Sequence, residues 1–239
     1  MKNRILELFS TPSYTSSGSH DWEAIISQQK CSYTGHRCIK TRKSEPTIAI
    51  GTCVVAYGSE DEPIVICPNR FLARGQVFTD CLHLLNLHEP GNELHIVPEI
   101  TIPGGSIDYF LVSARRRKVV DFAGIELQTI DTTGTVWPER QRLVKKLGLQ
   151  VEESITKSEK SYGMNWKMTA KTILIQLHHK IGTFQHLNKH LVLIVQDSLI
   201  KYMKREFSFA HIQQARLGDS MHIHSYAMRC EKNGLEMEL

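Results

Sequence analysis

Runs of apolar residues dominate the middle of the chain and predict a β-rich core. Residues 107–113 and 119–130 are apolar over most of their length, as expected of two strands, and the basic run 115–118 between them has the composition of a turn. Gly124 interrupts the second of these segments, where we expect a kink. Residues 191–196 are apolar up to a final glutamine and fit a further, buried strand.

Helix-type spacing of apolar residues appears on both sides of these strands. Residues 71–87 and 165–179 repeat apolar side chains every three or four positions, which predicts a helix in each segment. Asp21 can cap a helix that begins near Trp22, and Pro138 suits the first turn of another. Strands that alternate with helices predict an α/β fold with a mixed central β-sheet flanked by helices.

The length of 239 residues fits one compact domain, or a core with a small appendage. We expect an N-terminal region over residues 1–90 and a core over residues 91–239. The hydrophobic fraction of 41% is ordinary for a globular protein. The longest apolar runs are too short to cross a membrane, and residues 1–10 lack the apolar segment of a signal peptide. We therefore expect a cytoplasmic protein without a membrane partner.

Positive charge is concentrated in the C-terminal half. The whole chain has a net charge of +4, whereas residues 139–206 contain thirteen Lys and Arg against six Asp and Glu, a net charge of +7. This excess indicates a surface that binds a polyanion, or else charged helix faces that are simply exposed to water.

Three polar side chains on the two central strands could hold a metal ion. The period of a strand places Glu126 and Gln128 on one face, and a hairpin returning from Asp108 can bring its carboxylate beside Glu126. Magnesium binds through one or two carboxylates and can activate water for phosphodiester hydrolysis. Asp121 competes for the role of Asp108 but lies an odd number of residues from Glu126, on the opposite face. Alternatively, Asp108 and Glu126 are ordinary carboxylates at strand ends.

The six cysteines include four that lie close together along the chain: Cys31, Cys38, Cys53 and Cys67. Disulfides are not expected in a cytoplasmic protein, so these thiols could bind a metal ion tetrahedrally. Their spacing lacks a Cys-x-x-Cys pair, and scattered buried cysteines remain an equally simple interpretation.

The carboxylate pattern resembles that of the PD-(D/E)xK nucleases, in which an acidic residue on one strand precedes an acidic-x-Lys pair on the next. Here the pair is Glu126-Leu127-Gln128, so glutamine replaces the lysine. Lysine can polarise the attacking water with its charge, whereas glutamine can only orient that water. An upstream glutamate often completes the metal shell in this superfamily, and Glu99 is the candidate, although it could also be an ordinary loop carboxylate.

A wider set of motifs resembles the NotI family of restriction endonucleases, in family order over roughly residues 31–203. The matching segments are Gly-Thr-Cys at 51–53, Ile-Cys-Pro-Asn-Arg-Phe at 66–71, Ser-Ile-Asp-Tyr at 106–109, Asp-Phe-Ala-Gly-Ile-Glu-Leu-Gln at 121–128, Asp-Thr-Thr-Gly at 131–134, Asn-Trp-Lys at 165–167 and Ala-Lys-Thr at 170–172.

The resemblance implies a restriction-endonuclease-like core that cuts double-stranded DNA at a palindromic site with magnesium. It implies Asp108, Glu126 and Gln128 as the catalytic set, with Glu99 in support. It also implies a small subregion, about residues 31–71, in which the four cysteines hold a structural metal ion, iron or zinc. A palindromic site cut on both strands suits a homodimer. A cognate DNA methyltransferase would act on the same site without contacting this chain.

Candidate DNA contacts lie in the motif that contains Asn165, Lys167 and Lys171. The two lysines are four residues apart and share one face of the predicted helix. They could contact phosphates or pair with a neighbouring carboxylate.

These observations favour a type II restriction endonuclease. Two other functions stay open: a metal-stabilised DNA-binding protein without catalysis, for which the glutamine at 128 leaves room, and another PD-(D/E)xK nuclease used in repair or phage defence.

Overall fold

A computed structural model describes residues 4–14, 20–208, 212–231 and 234–239. Within these residues the strands are β1 (Ile5–Leu8), β2 (Thr11–Pro12), β3 (Thr41–Arg42), β4 (Glu45–Ala49), β5 (Thr52–Tyr57), β6 (Glu62–Val65), β7 (Glu93–Ile102), β8 (Gly105–Arg115), β9 (Lys118–Leu127), β10 (Thr132–Gly134), β11 (Tyr162–Met164), β12 (His190–Gln196), β13 (Met221–Glu231) and β14 (Gly234–Glu238). The α-helices are α1 (Trp22–Gln28), α2 (Gln76–Asp80), α3 (Trp137–Lys146), α4 (Glu153–Thr156), α5 (Trp166–Leu187) and α6 (Asp197–Glu206), and two 3-10 helices span Pro68–Gly75 and Leu82–Leu84.

The chain forms two compact units, and each is built from separate stretches of sequence. The first contains Met1–Ala73, Thr129–Asn165 and Met228–Glu238, and the second contains Arg74–Gln128 and Trp166–Ala227. We expected a single boundary near residue 90, whereas the chain leaves the first unit after Ala73 and returns to it twice.

The first unit is built on a four-stranded sheet in the order β2-β1-β5-β6, with the two-stranded sheets β3-β4 and β10-β11 beside it. A buried ion pair lies at its centre, where Arg70 Nε donates to Glu7 Oε2 at 3.0 Å. Tyr33 donates its hydroxyl proton to the other oxygen of Glu7, and Arg70 also donates to the carbonyl of Leu235. Burial raises the pKa of Glu7, and the charge of Arg70 opposes that rise. Both charged groups are therefore partnered, as burial requires.

The second unit contains a mixed sheet in the order β13-β12-β9-β8-β7, so the predicted α/β fold with a mixed central sheet is confirmed. Strands β7, β8 and β9 form an antiparallel meander, and β12 runs parallel to both β9 and β13. The end of β13 passes into the first unit, where β14 lies beside it. Helix α5 precedes β12 in the chain and helix α6 follows it, and both helices contact this strand.

Helix α5 packs on the sheet through Phe184, which is buried with Ile107, Phe110 and Leu191. A Cβ atom on Gly124 would lie 2.4 Å from the Phe184 ring, so only glycine leaves room for this contact. The predicted kink at Gly124 is wrong, because this residue pairs in regular register with both neighbouring strands. The sequence needs glycine there for close packing and not for a bend.

The helix predicted over residues 71–87 is also wrong as a continuous element. Arg74 (φ 56°) and Gly75 (φ 64°) have left-handed backbone conformations, which end the first 3-10 helix before α2 begins. After β9 ends at Leu127, residues 132–134 form β10, which pairs with β11 in a separate two-stranded sheet. The helices at Trp22, at Pro138 and over 165–179, and the strands over 107–113, 119–130 and 191–196, are confirmed. No helix in the described part of the chain is long and apolar enough to span a membrane.

A group of buried histidines lies in the second unit beside β13. The Nδ1 atom of His224 lies 3.8 Å from Cys81 Sγ, and its ring stacks on His83 with centroids 6.0 Å apart. Burial lowers the pKa of His224 to about 4, and the neighbouring His83 and His222 lower it further, while Asp80 opposes them. The folded protein therefore holds this imidazole neutral.

Acid should destabilise the protein through His224. The ordinary histidine pKa is 6.5, so the folded form loses stability as the pH falls from 6.5 towards 4. Between pH 7.5 and pH 5 this group should cost about 2 kcal/mol of the free energy of unfolding. His224→Gln should lose correspondingly less over that interval in urea titrations, and His178→Gln, at an exposed position on α5, should behave as the wild type. Equal acid sensitivity in all three proteins would contradict this assignment.

Candidate active site

The register of β8 and β9 places Asp108 directly opposite Glu126. The neighbouring pair Tyr109–Ile125 fixes this alignment in the antiparallel ladder. Residues that face each other across antiparallel strands have side chains on the same side of the sheet. The two carboxylates therefore share one face, as the sequence predicted for a hairpin.

The register of β7 and β8 extends this row to Glu99. The pairs Pro98–Tyr109 and Ile100–Ile107 flank it, which aligns Glu99 with Asp108. Glu99 itself is exposed and has a left-handed backbone (φ 50°). Burial raises the pKa of Asp108, and the charge of Glu99 adds to this rise, so the two carboxylates are electrostatic neighbours. Three acidic residues thus follow one another across three adjacent strands.

Asp108 is held by the backbone of the next strand. Its Oδ2 accepts a hydrogen bond from the Leu127 amide at 2.8 Å. Burial raises the pKa of this carboxyl group above its ordinary value, while the Leu127 amide and the charge of Lys180 oppose the rise. One oxygen is thereby oriented by the sheet.

Glu126 is 9% exposed and forms an ion pair with Lys180, whose Nζ lies 2.7 Å from Oε1. Burial raises the pKa of Glu126 to about 7, the negative charge of Asp108 adds to the rise, and the hydrogen bond and charge of Lys180 oppose it. A nearby positive charge favours the ionised form of both carboxyl groups.

Gln128 follows Glu126 into the same cleft. Its backbone amide donates to the carbonyl of Ile194 at 2.9 Å, which continues the pairing with β12 beyond the end of β9. The cleft is lined by residues from β9, β12 and α5: Glu126, Leu127, Gln128, Ile173, Gln176, Leu177, Lys180 and Leu193. The structure therefore brings Glu126 and Gln128 together in one partly polar cleft.

Lys180 is the residue that sequence analysis missed. It belongs to the buried face of α5, which repeats at Ile173, Leu177, Lys180 and Phe184. One signal in the sequence could have identified it. The helical period predicts an apolar side chain at position 180, and a lysine occurs there. The motif pattern gave no such indication, because Lys180 lies 54 residues after Glu126.

The turn between β7 and β8 places α5 against this cleft. A Cβ atom on Gly104 (φ +98°) would lie 2.3 Å from the backbone oxygen of His179, and one on Gly105 would lie 3.3 Å from Cε of Lys180. Thr183 donates its hydroxyl proton to the carbonyl of Pro103 at 3.0 Å. The turn therefore fixes the helix backbone at the residues beside Lys180.

Asp121, the competing carboxylate, has a different environment. Its Oδ1 accepts from Lys189 Nζ at 2.6 Å, and its Oδ2 accepts from the Leu87 amide at 2.8 Å. Both oxygens of Asp121 are therefore engaged by protein donors, whereas Asp108 has one oxygen bonded to the Leu127 amide.

The cysteines Cys31, Cys38, Cys53 and Cys67 line a single cavity in the first unit. A hydrogen bond from Cys53 lowers the pKa of Cys67 to about 7, and the charge of Lys40 lowers it further against the effect of burial. However, the described residues contain no group of three or more His, Cys, Asp or Glu side chains arranged to hold a metal ion. The sulfur chemistry suits zinc or iron, but a cysteine metal-binding subregion is not shown.

The three candidate DNA contacts divide between the two units. Asn165 lies in the first unit, where its backbone amide donates to the carbonyl of Asp131 at 2.8 Å. Lys167 and Lys171 lie in the second unit, exposed on the first two turns of α5. In the part of the chain that the structure describes, neither lysine forms a salt bridge with a carboxylate, whereas the half-exposed Lys145 pairs with Glu153.

Comparison with known protein families matches residues 26–227 to the family described as restriction endonuclease NotI. The matched segment includes Glu99, Asp108 and Glu126 and all residues that line the cleft between β9, β12 and α5. It also includes the four clustered cysteines and the exposed lysines of α5. Comparison with curated protein sequences found no match.

Proposed function

Since the chain belongs to the NotI restriction endonuclease family, we propose that it is a type II enzyme that hydrolyses double-stranded DNA at a specific, palindromic site with magnesium. The observation that supports this most directly is the alignment of Asp108 with Glu126, since Glu126 itself lines a partly polar cleft. Membership of the family makes the chain a restriction endonuclease, a hydrolase that acts on double-stranded DNA.

We assign the magnesium ion to Asp108 and Glu126, with Glu99 as an outer partner. Hard carboxylate oxygens are the ligands that magnesium prefers, and one or two of them suffice when water and phosphate complete the shell. When bound, the ion supplies positive charge and an activated water molecule. Gln128 then orients water by hydrogen bonds from its amide group. This arrangement would make the chain a PD-(D/E)xK enzyme with glutamine in the lysine position.

The test is digestion of plasmid or phage DNA by the purified protein. Magnesium should give discrete fragments, and EDTA should abolish them. If no divalent metal ion supports cleavage while the protein still binds DNA, it is a DNA-binding protein without catalysis. Scattered cleavage without fixed fragments would favour a nuclease of repair or phage defence instead.

A homodimer is the assembly that suits this activity. Two copies related by a two-fold axis present the same site to each strand of a palindrome. A partner methyltransferase would protect the same sequence in the host without binding this chain. Sedimentation of the protein on a cleavable duplex should give two chains per DNA molecule.

Lys167 and Lys171 are proposed to contact phosphates, with Asn165 as a further DNA contact. Replacing both lysines with alanine should weaken DNA binding, because two ion contacts with the backbone are lost. The slope of log affinity against log salt should decrease by about 2. Fluorescence anisotropy at several salt concentrations measures both effects. Lys43→Ala, at an exposed position in the first unit, should change neither, and an unchanged salt slope in the double variant would contradict the assignment.

The four cysteines are proposed to hold one structural metal ion. The observation that supports this proposal is that all four cysteines line one cavity. Elemental analysis should find about one iron or zinc per chain. Cys67→Ser should lose this metal and unfold at a lower temperature, whereas Cys230→Ser, at an exposed position outside the cavity, should keep both properties. A folded, active and metal-free wild type would refute the site.

A further inference from the structure

We propose that Lys180 supplies from helix α5 the catalytic cation that position 128 lacks, and that its ammonium group rests on Glu126 in the metal-free protein. This inference rests on the proposed nuclease function and identifies a further residue for the same reaction. Its starting point is the contact between Lys180 Nζ and Glu126 Oε1 at 2.7 Å.

Stability alone does not account for a lysine at this position. Lys180 is 6% exposed and occupies a turn of α5 between Leu177 and Phe184, where an apolar side chain would bury without desolvating a charge. Replacing a buried ion pair by apolar residues is often neutral or stabilising, so such a pair is weak evidence of a structural need. A charge retained on the buried face of a helix, and directed into a cleft, points to function.

The position of Lys180 allows it to act on both carboxylates and on a substrate. Its charge acts on Asp108 as well as on Glu126. It lines the same cleft as Gln128 and Gln176, so its ammonium group shares a polar recess with the glutamine that replaces the usual lysine. The turn at Gly104 and Gly105 confines the base of the side chain, while the flexible stem leaves the ammonium group able to change partners.

In the structure, Lys180 neutralises Glu126 and keeps the buried carboxylate satisfied. When Glu126 serves as a metal ligand, that partner is no longer needed, and Lys180 can turn to the attacking water and a non-bridging phosphate oxygen. The two states use the same positive charge at different moments. This accounts for the glutamine at position 128 in the Glu126-Leu127-Gln128 segment, because Lys180 on α5 supplies the positive charge that a lysine at 128 would carry.

The reaction balances without a net proton on Lys180. A lone pair of the water oxygen forms a bond to phosphorus, and the bond from phosphorus to one deoxyribose oxygen breaks with its electron pair on that oxygen. The proton lost by the water goes to solvent, and the departing oxygen takes a proton from solvent. Lys180 remains an ammonium ion that donates hydrogen bonds to the attacking oxygen and the phosphate as negative charge develops.

The experiment compares Lys180→Met, Lys180→Arg and Lys189→Met with the full-length wild type. Lys189 is the matched control, since it forms a comparable ion pair with Asp121 outside the cleft. We measure the single-turnover cleavage rate per folded molecule, DNA affinity by anisotropy, and manganese affinity by calorimetry without DNA. Thermal unfolding identifies the folded fraction, and Lys180→Gln replaces Lys180→Met if the latter does not fold.

Lys180→Met should lower the single-turnover rate by roughly 10²-fold, as expected for loss of one preorganised donor, with little change in DNA affinity. It should bind manganese more tightly than the wild type, because Glu126 no longer has a competing cation. Lys180→Arg keeps the charge, so it should bind manganese as the wild type does and recover part of the rate. Lys189→Met should be less stable but cleave normally per folded molecule.

An equal cleavage rate in wild type and Lys180→Met would overturn the inference while leaving the proposed function intact. Weaker manganese binding in Lys180→Met, or the same loss of rate in Lys189→Met, would show a merely structural role and overturn it as well. A wild-type protein that cleaves no DNA with any divalent metal overturns the proposed function, and this inference with it.

Discussion

Asp108→Asn and Glu126→Gln should each lower the rate of DNA cleavage by roughly 10³-fold or more while leaving DNA bound at least as tightly. Each change replaces a carboxylate that faces the other across β8 and β9 by an amide of nearly the same shape. The amide carries no charge to hold a divalent cation, so the phosphate is no longer neutralised as it reacts. DNA affinity should be unchanged or higher, because a negative charge that repels phosphate has been removed. Single-turnover gel assays and anisotropy measure the two quantities.

Asp121→Asn is the matched control for these variants. Asp121 is an acidic residue of β9 like Glu126, yet Lys189 and the Leu87 amide already engage its oxygens. We expect a less stable protein that retains cleavage at temperatures where it is folded. Full activity in either Asp108→Asn or Glu126→Gln would remove the metal assignment, whatever the control shows.

Gly104→Ala should destabilise the second unit by about 3 kcal/mol and reduce cleavage in the molecules that remain folded. The added Cβ would lie 2.3 Å from the carbonyl oxygen of His179, so the turn and the helix must separate. The residue that follows His179 is Lys180, whose contact with Glu126 depends on the position of the helix backbone. The expected cost combines a backbone clash with the strain of a non-glycine residue at φ +98°.

Gly91→Ala separates these two contributions. Gly91 has a similar backbone angle, φ +91°, but nothing lies within 4 Å of where its Cβ would be. It should therefore show only the strain, about 1–2 kcal/mol, and normal cleavage per folded molecule. Urea unfolding and single-turnover rates of both variants test this. If the two substitutions have the same effects, the close approach of the turn to α5 does not control the cleft.

The acidic pair was predictable from the sequence because its geometry is local. A strand has a period of two, and a short basic turn dictates an antiparallel return, so Asp108 and Glu126 were expected side by side. This relation needs no knowledge of how distant elements pack. Glu99 was expected only from the resemblance to the nuclease superfamily, and its alignment with Asp108 comes from the register of β7 and β8.

Lys180 and the role of Gly124 could not be obtained in this way. Both depend on where α5 lies against the sheet, which joins residues more than fifty positions apart. The same limit applies to the segment 71–87, where apolar spacing favoured a helix but the left-handed backbone at Arg74 and Gly75 ends it. For the four cysteines, proximity along the chain suggested a shared metal site, and the structure shows a shared cavity without a recognisable metal-binding group among the described residues.

The interleaving of the two units has a consequence for synthesis on the ribosome. The first unit needs Met228–Glu238, and the buried guanidinium of Arg70 finds one of its acceptors only at the carbonyl of Leu235. The second unit needs Trp166–Ala227, including the helix that carries Lys180. Neither unit can therefore complete its fold while its early segments alone have emerged, and non-local pairing of this kind folds slowly. A nascent chain would complete the sheet and helix that form the cleft only after the segment up to Ala227 has been translated.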